Sequence, residues 1–325
     1  MKRLTVGVVG ASGYVGAELV RWIVGHSELQ LSAVTSRSHE GKAFSDVFPA
    51  LLGCVELAFE AFDAGRLAAL DVVFVAVPHG SAASLVAQLD ACGAKAIFDC
   101  SSDHRLLGCD ADSSWVYGLA EWQSEALAGA TRVAVPGCFA TAQCMAIAPL
   151  ANAGAIDGPV MVAAATGSTG SGASAKSATH HPERFCNIKA YKVLSHQHEA
   201  EIKAFSKGLG QAIDLCFVPL SAPVDRGIFA TCFVPLKSGI DARSLFADAY
   251  GDSALVRLRE DTPQLRHVRG TAFCDLTVTQ QGDTAVVLVA IDNLGKGAAS
   301  QALQAMNLSF RFPSEAGLKG PPCLP

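Results

Sequence analysis

Hydrophobic positions in the first half of the chain fall into short continuous runs. Leu4 to Val9, Leu29 to Thr35, Leu70 to Val77, Lys95 to Cys100 and Arg132 to Val135 are apolar and rich in β-branched residues. Such runs predict strands buried on both faces. Between them the pattern turns helical. One helix opens at Gly10-Ala-Ser-Gly13-Tyr-Val-Gly16 and runs to about Val24, with Gly25 beyond its end; another spans Ser81 to Ala91. A third is expected from Phe139 to about Asn152, closed by Gly154. Past Gly154 the runs lengthen: Val160 to Ala165, Leu215 to Leu220, Gly227 to Leu236, Phe273 to Thr279 and Ala285 to Ile291. The last two flank Gln280-Gln-Gly-Asp283, a hairpin-type turn. An amphipathic helix is expected from Ala298 to Leu308.

Strands alternating with helices predict an α/β first half, a doubly wound parallel sheet of the Rossmann type. The longer runs predict a second, α+β domain with a largely antiparallel sheet. The chain's 325 residues suit two domains, since single cores stop growing near roughly 250–300 residues. The expected division is residues 1–137 for nucleotide binding, completed by a C-terminal helix over 296–325, and residues 138–295 for catalysis and oligomerisation.

Charge and cysteine use narrow the class. A net charge of −5 without a basic run argues against nucleic acid as partner. The strand pattern begins by Leu4, leaving no room for a signal or transit segment, and no run approaches the roughly 20 apolar residues of a membrane span. The eleven cysteines (54, 92, 100, 109, 138, 144, 186, 216, 232, 274 and 323) include no C-x-x-C pair, and their number is odd. That predicts reduced thiols used as small hydrophobes, in the cytoplasm, rather than a disulfide framework or a zinc site.

Strand, glycine turn and helix start are the context of a dinucleotide-binding corner. Gly10 permits the tight turn, Gly13 admits a pyrophosphate, and Gly16 lets helix and strand pack closely; Ser12, Tyr14 and Val15 share the corner. The second strand ends in Ser36-Arg37-Ser38, hydroxyls and an arginine where an acid would hold the ribose of NAD. This predicts NADP(H). Ligands bind beyond the carboxyl ends of such strands, where Pro78, Ser101 and Cys138 also fall. Cys138 follows Pro136-Gly137 at a strand-to-helix corner, where unpaired N–H groups and the helix dipole favour a thiolate, the nucleophilic form.

In the second half, Thr166-Gly-Ser168-Thr-Gly170-Ser-Gly172 reads as a linker or as a backbone nest for an anion. His198 and Glu201 lie three apart at a helix start and so share a face, as an acid–base pair would. The alternative for His196 and His198 is metal, but no convincing third ligand follows in sequence, and no metal is expected.

Gly10 to Gly16, Thr35-Ser-Arg-Ser38, Tyr117-Gly-Leu119, Pro136-Gly-Cys138, Thr166 to Gly172, His196-Gln-His198-Glu-Ala-Glu201 and Asp292-Asn-Leu-Gly-Lys-Gly297 together resemble the N-acetyl-γ-glutamyl-phosphate reductases of arginine biosynthesis. The resemblance runs in order over nearly the whole chain. It implies NADP(H), a catalytic domain like those of glyceraldehyde-phosphate and aspartate-semialdehyde dehydrogenases, and a homodimer or homotetramer. It makes Cys138 the nucleophile and His198 the base oriented by Glu201. His196, Arg105, Ser168 and Gly170 would meet the substrate, and Asn293 the cofactor. The family more often has Tyr-Pro where Phe139-Ala140 stand, and Arg where Gln197 stands. His180-His-Pro-Glu-Arg184 is similar to the sister reductase that acts on carrier-protein-linked aminoadipyl phosphate. Three alternatives therefore stand beside the acetylglutamyl reading: the aminoadipyl substrate with its carrier, aspartyl phosphate, and an NADP-binding sensor without turnover.

Overall fold

A computed structural model describes residues 3–320, so Cys323 and the end of the predicted 296–325 segment lie outside the described residues. The chain divides into two compact units, one of residues 1–136 with 298–319 and the other chiefly of residues 137–297.

The first unit carries six strands: β1 (Leu4–Val9), β2 (Leu29–Val34), β3 (Val72–Val75), β4 (Ile97–Asp99), β5 (Val116–Tyr117) and β6 (Arg132–Ala134). They form one sheet in the order β2-β1-β3-β4-β6-β5, and every neighbouring pair is parallel. Val6, Val8, Val72 to Val75, Ile97, Phe98 and Val133 are all buried, as a sheet covered on both faces requires. The glycine turn leads into a helix at Tyr14–Val24, and a second helix spans Ala82–Ala91. Strand β3 is shorter than the apolar run from Leu70 to Val77. At its start the Asp71 carboxylate takes the N–H and hydroxyl of Thr5; after it the chain turns toward Pro78, which has no N–H to give a ladder.

The last helix, Ser300–Ser309, departs from the amphipathic expectation. All of its residues but Leu308 are buried, Gln301, Gln304 and Asn307 among them. These polar side chains are tolerated because each has a partner in this unit. Gln301 donates to the Gly118 carbonyl (3.0 Å) and Gln304 to Glu121 (2.9 Å). Asn307 donates to the carbonyls of Ser314 and Ala316 and meets the buried His26 ring at 3.0 Å.

The second unit contains β7 (Val160–Thr166), β8 (Lys189–Ala190), β9 (Leu215–Ser221), β10 (Ile228–Pro235), β11 (Val256–Leu258), β12 (Cys274–Gln281) and β13 (Thr284–Ile291). Their order is β11-β12-β13-β10-β7-β9-β8. The pairs β7–β9 and β11–β12 are parallel and the other four antiparallel, so the sheet is mixed. Alternate residues of β7 and β10 are buried beneath the cysteine-bearing helix Cys138–Asn152 and its neighbours, while Met161 and Phe233 face outward. From Ser171 to Ser195 nearly every residue is exposed, Phe185, Ile188, Val193 and Leu194 included.

Among the described residues no cysteine is joined in a disulfide. Cys144, Cys232 and Cys274 are buried as small hydrophobes, but Cys54, Cys92, Cys186 and Cys216 are exposed, which corrects the core reading for those four.

Candidate active site

In the second unit the cysteine helix begins at Cys138 itself. Gly137 is its N-cap, extended at φ −70°, ψ 149°, and no side chain caps the first turn or adds an acid to it. The first N–H groups of a helix have no partner inside it, so this corner offers donors and a positive dipole end beside the sulfur. Cys138 is partly exposed and flanked by buried Gly137 and Phe139. Gly297 backs onto it: a Cβ at 297 would lie 2.9 Å from the Cys138 Cβ.

The Gly137 N–H donates to Glu201 Oε2 at 3.1 Å, which brings together segments 64 residues apart. Glu201 Oε1 lies 3.7 Å from His198 Nε2, an ion-pair separation longer than a hydrogen bond. The carboxylate thus stands between the residue preceding the cysteine and the imidazole, with its shorter contact to the backbone. His198 is the first residue of a helix running to Gly208, and both His198 and Glu201 are buried. The His198 N–H donates to His196 Nδ1 at 3.2 Å. Phe139 packs edge-on against both imidazoles, with centroids 5.4 Å from His196 and 6.2 Å from His198. Gln197 is exposed and takes a bond from Lys192 Nζ at 2.7 Å. His181 lies on the exposed stretch, against Phe185. Among the described residues no cluster of His, Cys, Asp or Glu has the makings of a metal site.

Tyr191, to which no motif in the sequence points, also belongs here. Its ring meets His196 at 5.9 Å. Burial first, and the Cys138 thiolate second, push its phenol well above the ordinary range, while Arg184 pulls the other way. The only sequence signal was its place just ahead of the histidine pair.

Of the two readings of Thr166–Gly172, linker or anion nest, the nest has few N–H groups left to offer. The chain makes a short 3₁₀ turn at Ser168–Ser171, and five N–H groups of the loop already have carbonyl acceptors. Gly167 donates to Gly227, Ser168 to Val224, Thr169 to Asp225, Gly170 to Gly167 and Gly172 to Thr169. Asn293 braces the same turn: its Nδ2 donates to Thr169 Oγ1 (3.0 Å) and its Oδ1 accepts from the Gly227 N–H (2.7 Å). Both ends of the amide expected at the cofactor are thereby engaged within the unit.

In the first unit, Gly10, Ser36, Pro78 and Ser101 follow the carboxyl ends of four parallel strands and share one edge. Gly10 has φ +79°, and a Cβ there would sit 2.5 Å from the Ala76 carbonyl; one at Gly16 would sit 2.4 Å from the Gly10 carbonyl. Gly13 by contrast faces open space apart from the Gly10 carbonyl at 3.5 Å, a cradle that a side chain would fill. The helix that follows has no side-chain cap and no acid in its first turn; Tyr14 is exposed there and Val15 half-buried. Ser12 and Ser36 share a 2.8 Å hydroxyl bond, and Ser38 donates its N–H to the Ser36 hydroxyl. Arg37 is exposed. These groups fit a dinucleotide with a phosphorylated ribose. Ser101 is turned inward, its hydroxyl on Asp99, which also holds buried His104 at 2.7 Å. Arg105 is buried and donates to the carbonyls of Val135 (2.9 Å) and Cys100 (3.0 Å), so part of its fork braces the ends of β6 and β4.

The family model described as semialdehyde dehydrogenase, NAD binding domain, matches residues 5–130, and the one described as semialdehyde dehydrogenase, dimerisation domain, matches residues 138–293. An N-acetyl-gamma-glutamyl-phosphate reductase of Alkalilimnicola ehrlichii is 39% identical over 99% of this chain and 100% of its own length. The chain belongs to the N-acetyl-gamma-glutamyl-phosphate reductase family. A member from Methanothrix thermoacetophila is also 39% identical, over 97% of this chain and 98% of its own. Among solved structures, aspartate semialdehyde dehydrogenase II of Vibrio cholerae aligns with a TM-score of 0.77 over 96% of this chain and 99% of its own. At 17% identity that likeness shows a shared fold.

Proposed function

We propose that the protein reduces N-acetyl-γ-glutamyl phosphate to N-acetylglutamate semialdehyde with NADPH, releasing phosphate, as a step of arginine biosynthesis. The observation that carries the reading is the Gly137–Cys138 corner held by Glu201 beside His198, in a chain of this family. The Cys138 thiolate attacks the acyl carbon, the C–O bond to phosphate breaks, and a thioester forms. Bound NADPH supplies the hydride that reduces this thioester. N–H groups at the start of the cysteine helix face the developing oxyanion, a contribution worth about 3–4 kcal/mol per donor in such sites. His198 moves the proton as the C–S bond of the thiohemiacetal breaks and aldehyde leaves; Glu201 keeps the ring in place and His196 lines the pocket. Gly10 to Gly16 and Ser36 to Ser38 hold the cofactor.

Residues 1–137 with the last helix form the nucleotide domain in this reading, and residues 138–295 the catalytic domain. The outward Met161 and Phe233 and the apolar side chains between Phe185 and Leu194 support assembly into a homo-oligomer. Among the described residues no helix is long and apolar enough to cross a membrane. We place the enzyme in the cytoplasm.

NADPH oxidation with acetylglutamyl, aminoadipyl and aspartyl phosphates tests the assignment, and the acetylglutamyl compound is expected to be fastest. Cys138→Ser should retain NADPH binding and lose at least about 10³-fold in turnover, since covalent capture is the chemistry at stake. A tenfold loss or less would sink the thioester. Iodoacetamide should label Cys138 ahead of exposed Cys54, Cys92, Cys186 and Cys216.

A further inference from the structure

The motif His180-His-Pro-Glu-Arg184 has no part in the chemistry above, yet it ends on an unusual cation. Arg184 is half-buried, and its guanidinium donates to the Thr166 carbonyl (3.1 Å), the Ala222 carbonyl (3.1 Å) and the Ser221 hydroxyl. It has no carboxylate partner among the described residues. Glu183, the adjacent acid, is exposed, while Asp225 pairs with Arg269 and Asp292 with Arg226. Charges withdrawn from water are ordinarily paired, and carbonyl dipoles orient a guanidinium without neutralising it. Burial accordingly pulls the Arg184 pKa down.

Two polar atoms at this spot are also unsatisfied. Arg184 Nε and Thr166 Oγ1 are both out of contact with solvent and without a hydrogen-bond partner in the protein. A buried donor without a partner costs about 1–3 kcal/mol. Thr166 is the residue whose carbonyl Arg184 holds, and the Ser168–Ser171 turn closes over its hydroxyl, with a Gly170 Cβ position 3.3 Å away. Arg184 holds Ser221 at the end of β9, whose partner strand β8 leads to Tyr191; the Tyr191 ring lies 5.9 Å from His196, which packs at 5.4 Å on Phe139, the neighbour of Cys138.

We infer that Arg184, with the Thr166 hydroxyl beside it, is an oxyanion subsite that receives the phosphate or the carboxylate of the substrate reacting at Cys138. The inference rests on the acyl-phosphate reading above, and it adds the group that grips the substrate's charge. Arginine suits planar or tetrahedral oxyanions through its fork of five donors, of which three are in use here. Lysine at this position would keep the charge and lose the fork.

Calorimetric titration of the full-length protein with inorganic phosphate, and separately with glutarate, tests it without turnover and without a reactive thiol. If reductase activity fails while the anion still binds, the reading of function falls and the subsite stands; the reverse pattern separates them the other way. The wild type should bind one of the two anions, and which one it binds tells the phosphate seat from the carboxylate seat. Arg184→Gln should weaken that binding at least about tenfold, the loss of one charge-assisted contact. It should also lower the rate of Cys138 alkylation by anionic iodoacetate relative to neutral iodoacetamide, a selectivity that a purely structural strut would not move. If the wild type binds neither anion, or if Arg184→Gln binds as well as the wild type, the proposal is overturned. Should Arg184→Gln fail to fold, Arg184→Lys decides in its place: anion binding as tight as in the wild type would overturn the subsite, and a loss of about fivefold or more would support it.

Discussion

Two loops of small residues, Gly10–Gly16 and Thr166–Gly172, look alike in sequence and behave differently in the fold. Each follows an apolar strand and each invites an anion. In the first, Gly13 opens onto free space at the head of an uncapped helix. In the second, five N–H donors are bonded to carbonyls, three of them to residues 224, 225 and 227. Glycine and serine content therefore reports the freedom of a backbone and says nothing of whether its N–H groups are vacant. What decides is whether another strand end arrives to take them, and that is a tertiary fact.

The comparison can be broken first at Gly16. Gly16→Ala sets a methyl 2.4 Å from the Gly10 carbonyl, and the turn must open. Strain of about 1–3 kcal/mol translates into a loss of roughly 10–100-fold in NADPH affinity, measurable by fluorescence titration. Affinity within twofold of the wild type would show that the cradle lies elsewhere.

A smaller effect belongs to Arg37, which is exposed at the end of β2. Arg37→Ala should weaken NADPH by about tenfold and NADH by less than about twofold, because only the former carries the 2′-phosphate. Equal losses for both would remove Ser36-Arg37-Ser38 from the cofactor site.

The second loop should respond in stability and leave the cofactor alone. Thr169→Val removes the bond to the Asp225 carbonyl (2.7 Å) and leaves the Asn293 amide short of a partner. A cost of about 1–2 kcal/mol, or about 2–8 °C in Tm for a domain of this size, is expected, with NADPH affinity unchanged. A matching fall in NADPH affinity would return Asn293 to the cofactor and make the two loops one site.

Acid sharpens the contrast most gently. His26 lies just past the helix that the first loop begins, buried, with Nδ1 accepting the Glu28 N–H. Burial above all lowers its pKa from 6.5, against the Asn307 bond and the Glu28 charge. The unfolded chain then takes up a proton near pH 6.5 that the folded chain resists, so stability is full above that pH and declines below it. Tm should slip by a few degrees between about pH 7 and 5.5, and His26→Gln should flatten that slope. Asp71 adds nothing in this range. The Lys95 bond first, then Thr5, holds its pKa at about 2 against partial burial, and its share is lost only as pH falls from 3.8 toward that value.

What could be read in the sequence was what neighbours in sequence decide. The Gly10–Gly16 corner, the helix opening at Cys138 and the start of the next at His198 each follow from a few adjacent residues. Family likeness implied that Cys138 shares a site with His198 and Glu201, but the bond from Gly137 to Glu201 followed from nothing in the sequence, since no local rule joins residues 64 apart. The last helix shows the limit most plainly. Its Gln301, Gln304 and Asn307 imply a wet face, and the Gly118 carbonyl and Glu121, about 180 residues away, with His26 still farther, explain how that face can be dry. Arg184 ends the His180–Arg184 motif and Tyr191 stands in none, and the chemistry of both depends on what surrounds them.

The burial of that last helix in the first unit also bears on how the chain is made. Chains are synthesised from the N-terminus, and domains generally fold as units as they emerge. Here the first unit's sheet is complete by residue 134, while the helix that Gln301 and Gln304 anchor to it comes after the entire second unit. On the ribosome the nucleotide-binding half must therefore wait, partly uncovered, for some 160 further residues before it can close. A nascent chain halted before residue 300 should be a protease and chaperone substrate in its first half, even where its second half is already native.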